Sequence, residues 1–592
     1  MRVPVLAAVL SVFCCSPLMA EDGGEHLLPI STVIYAEIDQ PGDLIRRLRD
    51  DPAVPALVEQ LKQIPAIGQA LEEDDSVKAR QALGIIEAQL GREWEDVLTA
   101  LVENGVTFGF DPLSQGAVLI LHAESAESLN EIVDGLIELA NADAESKGKK
   151  TPFQESEYRD ARVFRGDKFA FGIAADRLVL TNKSELGRRV IDAIYEAPTE
   201  SLAVRPNFKQ AREARAENSI GWLYVDLATI RSASPDQKLL QGKADDPGGE
   251  IILGGVLEGL SKAPYLTADI MPGRRSVSAS FSIPLDRSKI SEERVHYFGP
   301  EGKGQAAAPI HVPGNILTIS TYRDLALMLQ RAGDLFNESA NDGLAKAETG
   351  LSTLFGGRSF SEDILGAFSP RLQLVVAQQS YDRRDTKPSI KLPAFALVAE
   401  MRDPEATRGA FRRNFMNAVG FFNIVGAMKG NPQLELDFED IDEGELISTR
   451  IVTPADRKDQ EVVPLTYNYA PAMGFNDQLM VISSTGELAR QILTQVSEDA
   501  RAETSPEAEA TANTILQFST DGIFELLLAN REHLIAQNML KEGHTRVEAE
   551  TEIDSGIEIV KLFDKGRLEL SSSDDTLDLD ISISWDRIQK AE

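Results

Sequence analysis

At 592 residues, with 60 basic against 94 acidic side chains, the chain carries a net charge of −34 and is 43% hydrophobic. So acidic a surface repels phosphate backbones and anionic membranes, which sets nucleic-acid binding aside, while the length and apolar content supply more than one packed core.

Residues 1–20 have the layout of a secretory signal peptide: a basic start at Arg2, an apolar run from Val3 to Phe13, and a small-residue exit at Ala20 before Glu21 and Asp22. Removal after Ala20 takes with it Arg2 and the only two cysteines, Cys14 and Cys15, leaving 59 bases against 94 acids and no thiol, which excludes a disulfide framework. The residues before the cysteines, Ser11, Val12 and Phe13, lack the Leu-x-Gly/Ala-Cys pattern of bacterial lipid attachment, so an anchor at Cys14 or Cys15 is set aside. No later stretch is apolar over the roughly 20 residues a spanning helix needs. The expectation is an exported chain, periplasmic or extracellular, with no transmembrane segment.

The rest of the sequence reads as two copies of one plan. "RLVLTNKSELGRRVI" at 177–191 aligns without a gap on "LMVISSTGELARQIL" at 479–493. Each begins with a short apolar strand and continues through Asn182-x-x-Glu185 or Ser484-x-x-Glu487, the spacing of a helix-capping box. Each then places one apolar stripe on a helix: Leu186, Val190, Ile191 and Ile194, or Leu488, Ile492, Leu493 and Val496. A second block pairs "SVSASFSIPLDR" at 276–287 with "TLDLDISISWDR" at 576–587, both alternating with period two as half-solvated antiparallel strands do. Weaker matches fall in the same order, among them "TVIYAEID" at 32–39 with "NILTISTY" at 315–322. A period near 300 is too long for a solenoid and predicts two large homologous domains, 27–292 and 314–592, joined by a Gly/Pro/Ala-rich linker at 293–313. The predicted class is α+β, each domain a mainly antiparallel sheet covered by helices on one side.

The chain has no phosphate-loop, zinc-helix or nucleophile-elbow motif. Six histidines, at 26, 122, 296, 311, 533 and 544, are scattered without the short spacing that metal ligation needs. The acidic run "DFEDIDEGELIS" at 437–448 puts Ile441 where a calcium loop requires an oxygen ligand, so it reads as a solvated hairpin. With 94 acids, no carboxylate pair is singled out for hydrolysis. One stretch is less plain: residues 410–432 place Phe411, Phe415, Val419 and Phe422 at near-helical spacing beside Arg408, Arg412, Arg413 and Lys429. A core helix is the first reading, and a lipid-facing or partner-binding helix the second. No catalytic, cofactor-binding or metal residue emerges, and no cofactor is implied.

"LLPISTVIYAEID" after the leader, with Leu28, Pro29, Tyr35 and Asp39, resembles an uncharacterised family of exported bacterial proteins known as a domain of unknown function. The resemblance covers residues 27 to about 230, and the second copy lacks the Leu-Pro and Tyr features. It implies export and a two-domain layout and transfers no catalytic residue. The expectation is therefore a non-enzymatic, exported binding or envelope-associated interaction protein whose partner is a protein or an apolar small molecule, with a carrier of lipid or another apolar ligand as the alternative.

Overall fold

Alternating burial along "IYAEI" and "NILTISTY" makes each the central strand of an antiparallel sheet. The computed structural model describes residues 23–50, 87–146, 151–166, 169–196, 200–234, 246–381, 387–428, 431–441, 444–452, 463–501 and 512–585, with a few single positions between them. The leader with Cys14 and Cys15, Lys429, and most of the acidic loop at 498–512 lie outside the described residues. The chain divides into two units: residues up to 236 with 263–284, and residues 237–262 with 285 onward.

The first unit contains β1 (Ile34–Ile38), β2 (Gly105–Asp111), β3 (Gly116–His122), β4 (Gln154–Tyr158), β5 (Ala161–Arg165), β6 (Ala170–Ala174), β7 (Arg177–Thr181), β8 (Gly221–Val225), β9 (Leu266–Pro272) and β10 (Ser276–Pro284). They pair antiparallel in the order β4-β5-β6-β7-β3-β2-β1-β8-β9-β10. The second contains β11 (Asn315–Tyr322), β12 (Phe368–Ala377), β13 (Ala394–Met401), β14 (Gln433–Ile441), β15 (Gly444–Val452), β16 (Ala472–Phe475), β17 (Leu479–Ser483), β18 (Ala512–Ser519), β19 (Lys565–Ser572) and β20 (Thr576–Ser584). Their antiparallel order is β14-β15-β16-β17-β13-β12-β11-β18-β19-β20. Each unit is thus mixed helix and antiparallel sheet.

Helices cover both faces of each sheet rather than one. The cause is visible in β7, where Leu178, Val179 and Leu180 are consecutive apolar residues, so both faces there need cover. In the first unit α1 (Trp94–Val102) packs Val97 and Ala100 beside Ile132 of α2 (Ala126–Ser146), whose Leu129 and Val133 sit with Phe164, Ile173 and Leu178. On the opposite face α3 (Ser184–Tyr195) packs Leu186 and Val190 with Val118, Ile120 and Val179, and α4 (Pro206–Glu213) inserts Phe208 among Tyr35, Trp222 and Tyr224 at ring separations of 5.0–5.4 Å.

The expected stripe of α3 is therefore its buried face, but its expected capping box is not formed. Asn182 Oδ1 accepts from Ala117 N across the sheet at 2.9 Å, and Glu185 pairs with Arg189 at 2.7 Å. Ser484 likewise accepts from Phe395 N at 2.9 Å, and Thr485 Oγ1 accepts from Leu488 N at 3.3 Å. A strand N–H that would otherwise lack a partner outcompetes the helix end for the same side chain.

The stretch at 293–313, expected as a linker, is packed into the second unit. Ile310 and Val312 are core residues, and the backbone around them is held by the sheet face: Gln373 accepts from Ile310 N at 3.0 Å, Thr318 donates to Ile310 O at 3.0 Å, and Ser320 donates to Ala307 O at 2.5 Å. Gly299 makes the turn into this strap at φ +75°, where a Cβ would lie 2.7 Å from Gly304.

Residues 237–262, read from sequence with the first half, also belong to the second unit. Their helix α5 (Pro247–Lys262) sets Gly254 and Gly255 against Arg294, Tyr297 and Phe298, and buries Glu250 beside Arg294 and, at 3.3 Å, His296 Nε2. Arg323, buried on the Tyr297 ring at 3.4 Å, donates to Ile251 O and Asn513 Oδ1, both at 2.6 Å, and to Thr514 Oγ1 at 3.0 Å. Burial pulls this guanidinium below its ordinary range. A Cβ on Gly255 would stand 2.3 Å from Tyr297. Gly255→Ala is therefore expected to destabilise the second unit by about 1–3 kcal/mol in urea denaturation, although alanine is the better helix former by about 1 kcal/mol.

Candidate functional site

Tyr35 and Asp39, the residues behind the family resemblance, lie in a charged cluster on the face of the first sheet. Strand alternation turns Tyr35 and Glu37 inward together, and α4 and the turn after it bring Arg212 and Arg215 over them. Arg212 and Arg215 both pair with Glu37, the second at 2.5 Å, and Arg215 also holds Asp39 at 2.5 Å. Tyr35 donates to Glu25 at 3.1 Å and contacts Glu37, while Arg212 lies 5.1 Å above the Trp222 ring. Burial, then the Glu37 and Glu25 charges, raise Tyr35 well above its ordinary value, so the hydroxyl stays protonated. Burial and Glu37 likewise raise Asp39, with Arg215 opposing. These acids and bases engage one another, an arrangement that fastens α4 to β1. Leu28 is buried close by, its carbonyl accepting from Leu202 N at 2.9 Å, and Pro29 forms an antiparallel bridge with Ser201.

In the second unit, α7 (Gly486–Arg501) covers one sheet face with Leu488, Ala489 and Ile492. The other carries α6 (Pro404–Met428). Phe411, Phe415 and Val419 of α6 are buried with Ile447, Met473 and Met480, the core packing expected for that stripe. Phe422, expected on the same stripe, is not in the core. The helix outlasts its sheet: past Val419 its exposed residues include Phe421, Phe422, Ile424 and Met428, at 56%, 58%, 68% and 84%. Asn423 is the anchor there, its amide bonding both the N–H and the carbonyl of Leu434 in the edge strand β14 at 2.7–2.8 Å.

From Asn414 to Met428 the helix carries no charged residue. Of the basic residues before it, Arg408 pairs with Asp477 at 2.8 Å and Arg412 with Glu445 at 2.7 Å. The structure thus separates what the sequence grouped together. The phenylalanines divide between core and surface, and two of the cations are spent on local pairs. The end of the helix is thus an exposed apolar patch without charge from Asn414 to Met428.

The remaining candidates are local. The acidic run is the β14–β15 hairpin, with Glu439 paired to Arg490. His122 meets Asp176 at 2.8 Å, His311 meets Gln517 at 2.7 Å, and His544 meets Asn538 at 2.9 Å. Among the described residues no group of three or more His, Cys, Asp or Glu is placed to hold a metal ion, and no helix is long and apolar enough to cross a membrane.

No family model matches the chain, and no curated protein matches it. Among solved structures the chain is similar to crystal form I of TP0453, at 11% identity over 50% of this chain and 90% of that one. It is similar also to crystal form III of TP0453, at 9% identity over 45% and 82%, and crystal form IV, at 8% over 46% and 85%. The TM-score is 0.24 in each case, a level from which neither fold nor function follows.

Proposed function

We propose that the protein is an exported, non-enzymatic binding protein, associated with the cell envelope and built from two copies of one α+β module, and that its second module binds lipid hydrocarbon. The shared strand order of the two sheets supports the duplication. A binding rather than catalytic role is supported by the mutual pairing in the Glu37 cluster, where acids and bases are spent on the fold. The observation that carries the lipid reading is the end of α6, where Phe421, Phe422, Ile424 and Met428 stand in solvent on a stretch free of charge.

Vesicle flotation tests it. The mature protein is expected to float with neutral phosphatidylcholine vesicles, and F421S/F422S to weaken binding at least tenfold, since each inserted phenylalanine contributes about 1.5–3 kcal/mol. Native mass spectrometry separates the two sources of hydrocarbon: a retained lipid mass marks a carrier, and flotation without one marks docking on a membrane surface. Neither flotation nor retained lipid in the wild type, or equal binding by the variant, overturns the reading.

A further inference from the structure

Because the two sheets share one strand order, each ladder position in the first unit has a counterpart in the second. One row is Ser156–Val163–Gly172–Val179 across β4 to β7, matched by Glu439–Leu446–Gly474–Val481 across β14 to β17. Above it lies α3 with Gly187 and Arg188, or α7 with Ala489 and Arg490. In the second unit this place is filled and neutral: Leu446 and Ala489 are fully buried, and Arg490 pairs with Glu439.

The first unit differs at each of these points. Val163 and Gly187 are the smaller residues, and between α3 and the strands lies a shallow groove open to solvent. Ser156 stands where the other unit has Glu439, so among the described residues Arg188 has no carboxylate partner; its guanidinium lies 5.4 Å over the Tyr158 ring. A second cation, Arg165, stands at the position of Ser448 and reaches Ser184 Oγ at 3.4 Å. Carboxylates close by are already engaged: Glu185 with Arg189 at 2.7 Å, Asp192 with Arg159 at 2.6 Å, Glu155 with Arg162 at 2.9 Å. Glu157 is the one acid among the lining residues, exposed on the rim.

Two arginines that have no carboxylate partner among the described residues, beside the apolar side chains of Tyr158, Val163 and Ile191, fit a ligand of matching polarity. We propose that this groove binds a small organic anion, its carboxylate or phosphate head held by Arg165 and Arg188 and its short apolar body resting on Tyr158, Val163 and Ile191. Guanidinium groups suit either head because their forked donors match two oxygens at once. The site is separate from the end of α6 and does not depend on it.

Isothermal titration of the full mature chain with hexanoate, hexyl phosphate, inorganic phosphate and hexan-1-ol tests this. Saturable one-to-one binding is expected for hexanoate, hexyl phosphate or both, with the stronger of the two identifying the head group, and none for hexan-1-ol. Ser156→Glu, which installs the counter-charge that the second unit carries, should weaken binding at least tenfold without moving the unfolding midpoint, and R165Q/R188Q should do the same. F421S/F422S should bind as the wild type does, which keeps failure at the two sites distinguishable. Three results overturn the proposal: no saturable binding of either organic anion, wild-type affinity in Ser156→Glu, or inorganic phosphate binding as tightly as the stronger of the two organic anions.

Discussion

Arg294→Met is expected to destabilise the second unit by about 3–5 kcal/mol, because it leaves the buried Glu250 carboxylate without its cation. Glu250 and Arg294 are both almost wholly removed from solvent, and Arg294 also donates to Gly242 O at 2.6 Å and lies 3.6 Å from Glu258. Among the described residues the only other base facing Glu250 is His296, whose Nδ1 is 2.7 Å from Glu293 O. Removing both charges together, as Glu250→Leu with Arg294→Met, should restore much of the loss, since a well-packed apolar pair replaces a buried ion pair at little cost. Urea denaturation followed by circular dichroism reads both variants. A single variant within 1 kcal/mol of wild type, or a double variant as unstable as the single, contradicts the account.

Glu37→Gln is expected to cost the first unit about 3 kcal/mol by the same logic, with two guanidinium groups now sharing what remains of the negative charge. Tyr35→Phe removes only a donor and should cost nearer 1 kcal/mol. Trp222 is buried under Arg212, so its fluorescence follows unfolding of this unit directly. At the matching ladder position the second sheet has Ser320, which bonds the strap at Ala307 instead, so Ser320→Ala should leave the Trp222 transition where it is. Movement of that transition by Ser320→Ala, or none by Glu37→Gln, would rule out the assignment.

What sequence could foresee here is local. Periodicity located the buried stripes of α3 and α7, alternation marked the closing strands, and the aromatic spacing identified Phe411, Phe415 and Val419 as core. It misjudged Phe422 because spacing does not register where the supporting sheet stops. Composition misjudged 293–313 for a related reason: glycine and proline report backbone freedom, whereas the strap is fixed by Gln373, 63 residues beyond Ile310. The Glu37 cluster was not foreseen at all, since its arginines lie 175 and 178 residues away. Its one sequence signal is an inward-facing acid in a strand together with two arginines three apart around the end of a helix. The groove beside α3 was legible only as a difference between two aligned stretches, Gly187 against Ala489, and acquired meaning once the ladders placed Ser156 opposite Glu439.

The placement of α5 has a consequence for how the chain is made and how it is cut. The path runs through the first unit to residue 236, contributes 237–262 to the second, returns for β9 and β10, and leaves again at 285. During synthesis α5 emerges before Arg294, Tyr297 and Phe298, so its glycine face and Glu250 must wait for their partners. The first sheet is complete only once β10 has left the ribosome. A single cleavage near residue 292 would give two fragments of sensible length, yet it would part Glu250 from Arg294 and strand the helix on the wrong piece. The two units are interleaved in sequence, and neither can be freed intact by one cut.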